Sequence, residues 1–193
     1  MTMQQEIVRL SPIIVDRTNP KAVIVPLRDL ELLAAVDAGC GRVLNKIYNK
    51  HQTGREYMHK WNRGQTTLFD DFAQMIGGTI GECATGKYLN LYFGDNTNSD
   101  IGNDVEVRAT DKMSNCLMLH DEDKNHRPYV MAVVNKDLPN VHLRGWMWAR
   151  DGKDREKYWR DPTGKGRFAY FIPQSDLYAM HELLDLVKRG LVT

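Results

Sequence analysis

Residues 99–110, SDIGNDVEVRAT, gather acids and an arginine around a short alternating pattern. Strand periodicity of two puts Glu106 and Arg108 on one face and Val105, Val107 and Ala109 on the other. Asp100 opens the Gly/Asn turn before this strand, and Asp104 sits at the strand's first residue. Two or three carboxylates can therefore converge where one strand ends and the next begins. Their hard oxygens suit Mg2+ or Mn2+ better than zinc. An ion held there beside a phosphodiester activates water and offsets developing charge. Arg108, two residues beyond the second carboxylate, can stabilise that charge or position the nucleophile. The same residues also read as an exposed Glu/Arg pair on an edge strand, with Gly and Asn serving the turn.

Upstream, Glu82 lies in IGGTIGECATGKYL, beside Gly77, Gly78 and Gly81. Glycines are costly inside a helix unless the backbone must approach something closely. Met75 lies about two turns before Glu82, so the glutamate borders an apolar face. A partly buried carboxylate needs a metal, a cation such as Lys87, or a set of hydrogen bonds.

These residues must be positioned by elements that the apolar periodicity outlines. AVIVPL (22–27) reads as a strand. Residues 29–48 carry Leu33, Val36, Cys40, Val43 and Ile47 as one helical stripe, in which Gly39 and Gly41 predict a kink or close packing. A second helix is expected over 67–85, with Phe72, Met75, Ile76, Ile80 and Cys83 as its apolar face. Strands are expected at 88–93, 105–109, 116–120, 129–134, 141–149 and 167–172. A final helix spans 175–188, with Leu177, Met180, Leu183, Leu184 and Val187 at helical spacing and Gly190 as its stop. This order gives an α+β (α/β) fold with a largely antiparallel or mixed central sheet flanked by helices.

Composition adds exclusions. The 193 residues suit a single domain, and a net charge of +1 names no partner, so any contact with nucleic acid must use a local basic patch. Two such patches stand out: 49–65, where Lys50, Arg55, Lys60 and Arg63 alternate with Tyr57 and Trp61, and Lys153, Arg155, Lys157, Arg160, Lys165 and Arg167. Both also read as solvated loops, the second diluted by Asp151, Asp154, Glu156 and Asp161. Cys40, Cys83 and Cys116 are widely spaced, form no zinc pattern and read as reduced thiols of a cytoplasmic protein. The N-terminus lacks the pattern of a signal peptide, and no apolar run is long enough to cross a membrane. The 120–123 run, His-Asp-Glu-Asp, reads as an acidic hairpin loop ahead of a second metal site. Trp146 and Trp148 share a strand face, where at least one is expected in the core. The G-K pair of ATGKYL lacks the glycine spacing of a P-loop.

A helix ending in a carboxylate, a strand, an aspartate in a turn and a strand carrying E-x-(K/R) together resemble the PD-(D/E)XK, or restriction-endonuclease-like, phosphodiesterase superfamily. The resemblance covers about residues 67–134, with 1–66 as an N-terminal helical extension and 135–193 as added strands and a helix. It implies a core of one helix, a three-stranded antiparallel piece, then a helix and a further strand. Carried over, Glu82 matches the glutamate of the first helix, Asp100 the turn aspartate, and Glu106 and Arg108 the acid and base of the E-x-K strand. Glu82, Asp100 and Glu106 would then ligate Mg2+ or Mn2+, and Arg108 would contact the attacked phosphate. The implied function is a metal-dependent nuclease, with DNA ahead of RNA, and a homodimer would suit double-strand cutting. Ser99 replaces the family's proline. Arg108 replaces its lysine and cannot act as a base, so either the enzyme works without a basic lysine, or Lys112 or Lys87 supplies that charge, or catalysis is lost. Asp104 is the alternative to Asp100. The competing implication is an inactive nuclease-fold module that binds nucleic acid or a protein within a defence or phage complex.

Overall fold

The computed structural model describes residues 13–53, 67–93, 99–164 and 166–193. The basic-aromatic stretch beyond Thr53, the N-terminal dozen residues and Lys165 lie outside them.

The helix that carries Glu82, α2 (Leu68–Leu89), is locally encoded at both ends. Thr67 caps it with a reciprocal capping box: its hydroxyl accepts from the Asp70 amide at 3.2 Å, and Asp70 Oδ2 accepts from the Thr67 amide at 2.6 Å. Asn90 ends it in the left-handed region at φ 54°, and its amide donates to the Gly86 and Lys87 carbonyls. The strand expected at 88–93 is therefore absent. Tyr88 and Leu89 form the last buried turn of α2, 7% and 1% exposed. The alternation in YLNLYF was too short to separate a strand from a helix end, and core packing settled it.

α2 packs along α1 (Asp29–Thr53), and glycine makes the contact close. A Cβ on Gly39 would come within 2.8 Å of both the Ile76 Cα and the Thr79 hydroxyl, whereas Gly41 faces open space. The glycine pair thus divides: Gly39 serves close packing and Gly41 does not. This close approach also rotates the expected stripe. Ala35 and Val43 are buried, while Leu33 is 64% exposed. Gly39→Ala is expected to destabilise the fold by about 1–3 kcal/mol through overpacking, with Gly41→Ala near neutral, read from urea midpoints.

The other side of α2 rests on a mixed five-stranded sheet in the order β1 (Ile14–Val15), β2 (Val23–Pro26), β6 (Asn140–Trp148), β5 (Pro128–Val133), β3 (Glu106–Thr110). β3 and β5 run parallel with Glu106 opposite Tyr129 and Thr110 opposite Val133, and the remaining pairs are antiparallel. A Cβ on Gly81 would lie 3.1 Å from Ala132 and 3.3 Å from Ala109, so here too glycine permits close approach. The fold is α+β with a mixed central sheet flanked by helices, an arrangement consistent with a nuclease-like core. The antiparallel three-strand piece implied by the resemblance is replaced by a crossover, because a parallel pair needs a long connection. That connection, 111–127, carries β4 (Leu117–Leu119) into a second sheet with β8 (Ala169–Ile172) and β7 (Trp159–Arg160).

The five-stranded sheet thus separates two cores that share β5 and β6. On one face Val107, Val130, Ala132 and Leu143 meet α1, α2 and α4 (Met180–Lys188). On the other, Tyr129, Met131, Val133 and Met147 meet Leu117, Leu119, Tyr158 and Ile172. β6 continues into the short helix α3 (Ala149–Lys153). Trp146 is a core residue, 3% exposed, with its indole N–H donating to the Ala179 carbonyl at 3.0 Å. All three cysteines are unpaired by disulfides, and burial pushes the Cys83 thiol up to about 11. Among the described residues no helix is long and apolar enough to cross a membrane.

Candidate functional site

The turn before β3 is as tight as the spacing demands. Ile101 and Val105 exchange both backbone hydrogen bonds, at 3.0 and 3.2 Å, and Gly102 takes φ 56° between them. Ser99 Oγ donates to the Gly102 carbonyl at 2.7 Å. This folds Asp100 back over the start of β3, where its Oδ2 accepts from the Val107 amide at 2.7 Å. Asp104 turns the other way and accepts from the Thr193 amide and hydroxyl at 3.2 and 3.0 Å. Of the two candidate aspartates, Asp100 is the one placed beside Glu106.

Glu106 is half-buried and receives an ion pair from Arg127 Nη1. Its carboxyl is raised from the ordinary 4.5, first by burial and then by the negative charge of Asp100, against the opposing pull of Arg127 and Arg108. Asp100, bonded to the Val107 amide next to Glu106, is the source of the second part of that rise. Arg108 lies on the same face, with Nη2 2.7 Å from Asp123 Oδ1 and its guanidinium 4.9 Å from the centre of the Tyr129 ring. Asp123 Oδ2 accepts from the His120 amide at 2.9 Å, so the acidic loop is pinned onto β3 through Arg108. Burial and the charges of Asp123 and Glu106 push the Tyr129 hydroxyl up to about 12.

Glu82 is placed elsewhere. Val107 and Ala109 face Gly81 of α2, so Glu106 and Arg108 project from the opposite side of the sheet. Glu82, 5% exposed, turns toward α1 and pairs with Arg42 at 2.7 Å. Its partner is a cation, though not Lys87, which binds Glu31 Oε2 and the Pro26 carbonyl at 2.7 Å each. The expected convergence of Glu82 with Asp100 and Glu106 does not form. Among the described residues no group of three or more His, Cys, Asp or Glu side chains is clustered to hold a metal ion. Of the expected set, Asp100 and Glu106 remain together at the start of β3, each with one oxygen engaged, by the Val107 amide and by Arg127; Mg2+ commonly binds through one or two carboxylates and keeps waters.

Within the basic stretch 153–167, Lys153 and Lys157 are engaged inside the protein. Lys153 Nζ donates to the Asp121 carbonyl at 2.6 Å and to that of Asp123, and Lys157 Nζ lies 3.2 Å from Asp176. Arg127 is the residue at the site that no sequence signal singled out, and Asp123, expected in an acidic hairpin loop, is the partner of Arg108. Arg127 shares the strand face of Tyr129 by periodicity, but only the parallel β3–β5 pairing sets it beside Glu106.

No protein-family model matches this chain, and no match was found among the curated proteins or the solved structures.

Proposed function

We propose that the chain is a divalent-metal-dependent phosphodiesterase acting on nucleic acid, with DNA ahead of RNA, in the cytoplasm. The observation that carries this reading is the folding of Asp100 against Glu106, with Arg108 on the same strand face. Asp100 and Glu106 would hold Mg2+ or Mn2+, which supplies charge neutralisation and an activated water at the attacked phosphate. Arg127 holds Glu106 in place through its guanidinium. Arg108 stays protonated, so its role is to position the phosphate and offset its charge. Cutting both strands of a duplex would require two copies about a two-fold axis.

A second reading is favoured by the position of Glu82: an inactive nuclease-fold module that binds nucleic acid or a protein partner within a defence or phage complex. Glu82 serves a buried pair with Arg42, and Glu106 and Arg108 each already have an ionic partner. Calorimetry with Mn2+ and incubation with labelled DNA and RNA separate the two. The enzyme reading expects metal uptake and divalent-dependent cutting. Uptake of no metal, with no cutting of either substrate, would leave the binding module.

A further inference from the structure

The face of β3 that bears Glu106 and Arg108 continues into a cleft of about 380 Å3 between this edge strand and the smaller sheet. Arg108, Thr110, Ser114, Asn115, Cys116 and Arg160 line it. Among the described residues no acid lines it, in a chain whose charges are otherwise nearly balanced. Arg160 makes no ion pair with a described carboxylate: its Nη2 lies 3.8 Å from the Cys116 sulfur, and its guanidinium sits 5.2 Å from the centre of the Phe171 ring. Arg108 is likewise backed by the Tyr129 ring, and among the described residues Asp123 is its ion-pair partner. A ring behind each guanidinium limits its motion where it lines the cleft.

The opposite wall is preorganised. Gln174 Nε2 donates to the Met113 and Asn115 carbonyls at 2.6 and 2.9 Å, and its Oε1 accepts from Arg144 Nε at 2.8 Å. Asn115 Nδ2 in turn donates to the Thr110 hydroxyl at 2.5 Å. The loop that presents Ser114 is thereby anchored to the body of the protein. Arg160 without a described carboxylate partner, Arg108 held by Asp123 through one of its nitrogens, and the hydroxyls of Thr110 and Ser114 make a donor set for an oxyanion, and phosphate is the anion such guanidinium forks match.

From these features we infer that the cleft between β3 and the smaller sheet is a phosphate-binding track for one strand of nucleic acid, with Arg160 as its distal contact. The inference rests on the nucleic-acid reading above and extends it to residues outside the acidic pair. Strand rise sets Arg108 about 7 Å from Glu106 toward the cleft, so a backbone whose phosphate reaches Glu106 passes next over Arg108 and then Arg160. Contacts of this type carry charge rather than sequence, so binding along the track is sequence-tolerant and salt-dependent.

The test is fluorescence anisotropy of a labelled single-stranded oligonucleotide in EDTA across a salt series, which removes any dependence on metal or cutting. Arg160→Gln is expected to weaken binding by about 5-fold at 0.1 M salt and to flatten the slope of log K against log salt by about 0.7, the value for one phosphate contact on a single strand. Ser114→Glu, an exposed change that sets an acid in the cleft, is expected to weaken binding at least as much. Arg150→Gln, an exposed arginine outside the cleft, is the control and leaves the slope unchanged. An unchanged slope in Arg160→Gln, an equal effect in the control, or binding of inorganic phosphate or an acidic peptide in place of the oligonucleotide would each overturn the track. Failure of the two readings is distinguishable. Cutting with an unaltered slope in Arg160→Gln removes the track and keeps the enzyme, whereas Arg160-dependent binding without cutting keeps the track and removes the enzyme.

Discussion

Glu106→Gln is expected to reduce metal-dependent cutting by on the order of 10²-fold or more, because it removes the charge of one of the two carboxylates. Glutamine is the informative replacement. It keeps an oxygen that can accept from Arg127, whereas alanine would strand a buried guanidinium and confound activity with folding. Metal affinity reports the same change without turnover: Mn2+ at 100 times its Kd should stabilise the wild-type fold by about 2.7 kcal/mol and the variant by far less. The pH dependence supplies an independent sign. The folded-state pKa of Glu106 is raised, so its protonated form is the one favoured by the fold. Wild-type stability from this group is fully present below its ordinary 4.5 and is lost as pH rises through the raised folded value. In metal-free protein, Glu106→Gln should therefore gain stability relative to wild type as pH goes from about 4 to neutrality. A variant that cuts DNA as fast as wild type would remove Glu106 from the site.

Arg42→Met is expected to cost about 3 kcal/mol, equivalent to a fall of roughly 6–12 °C in Tm for a chain of this size. The reason is the environment of Glu82, whose side chain is 7% exposed and whose Oε1 takes the Arg42 guanidinium at 2.7 Å. Removing that cation leaves a buried carboxylate short of compensation. The double change Arg42→Met with Glu82→Leu should recover most of the loss, since an apolar pair of similar volume avoids desolvating two charges. Thermal melts of the four proteins in this cycle measure the coupling directly. The cycle also assigns the role of Glu82. If the glutamate is a clamp between α1 and α2, Glu82→Gln lowers Tm and leaves Mn2+ affinity unchanged. A loss of Mn2+ affinity at full stability would return Glu82 to the metal set.

Much of the scaffold was legible because it is encoded locally. Thr67 with Asp70 marks the start of α2, Gly102 allows the turn before β3, and alternation identifies the face shared by Glu106 and Arg108. The end of α2 was not legible. Tyr88 to Phe93 alternates like a strand, and the core under Tyr88 and Leu89 carries the helix on to Asn90. The rotated face of α1 was hidden for a similar reason: Gly39 draws α2 close only when both helices are present, leaving Leu33 outside the contact.

For the site itself, the sequence by itself determined which residues could do chemistry and which side of one strand they share. Side-chain direction within a strand follows from backbone geometry and needs no partner. Only the tertiary structure decided what those residues meet. The parallel pairing of β3 with β5 brings Arg127 to Glu106, and the 111–127 crossover brings Asp123 to Arg108. The seating of α2 on the opposite face sends Glu82 to Arg42. Each of these ion pairs joins residues 15 to 40 positions apart, and their meeting is set by strand register and layer order, which no local pattern of residues records.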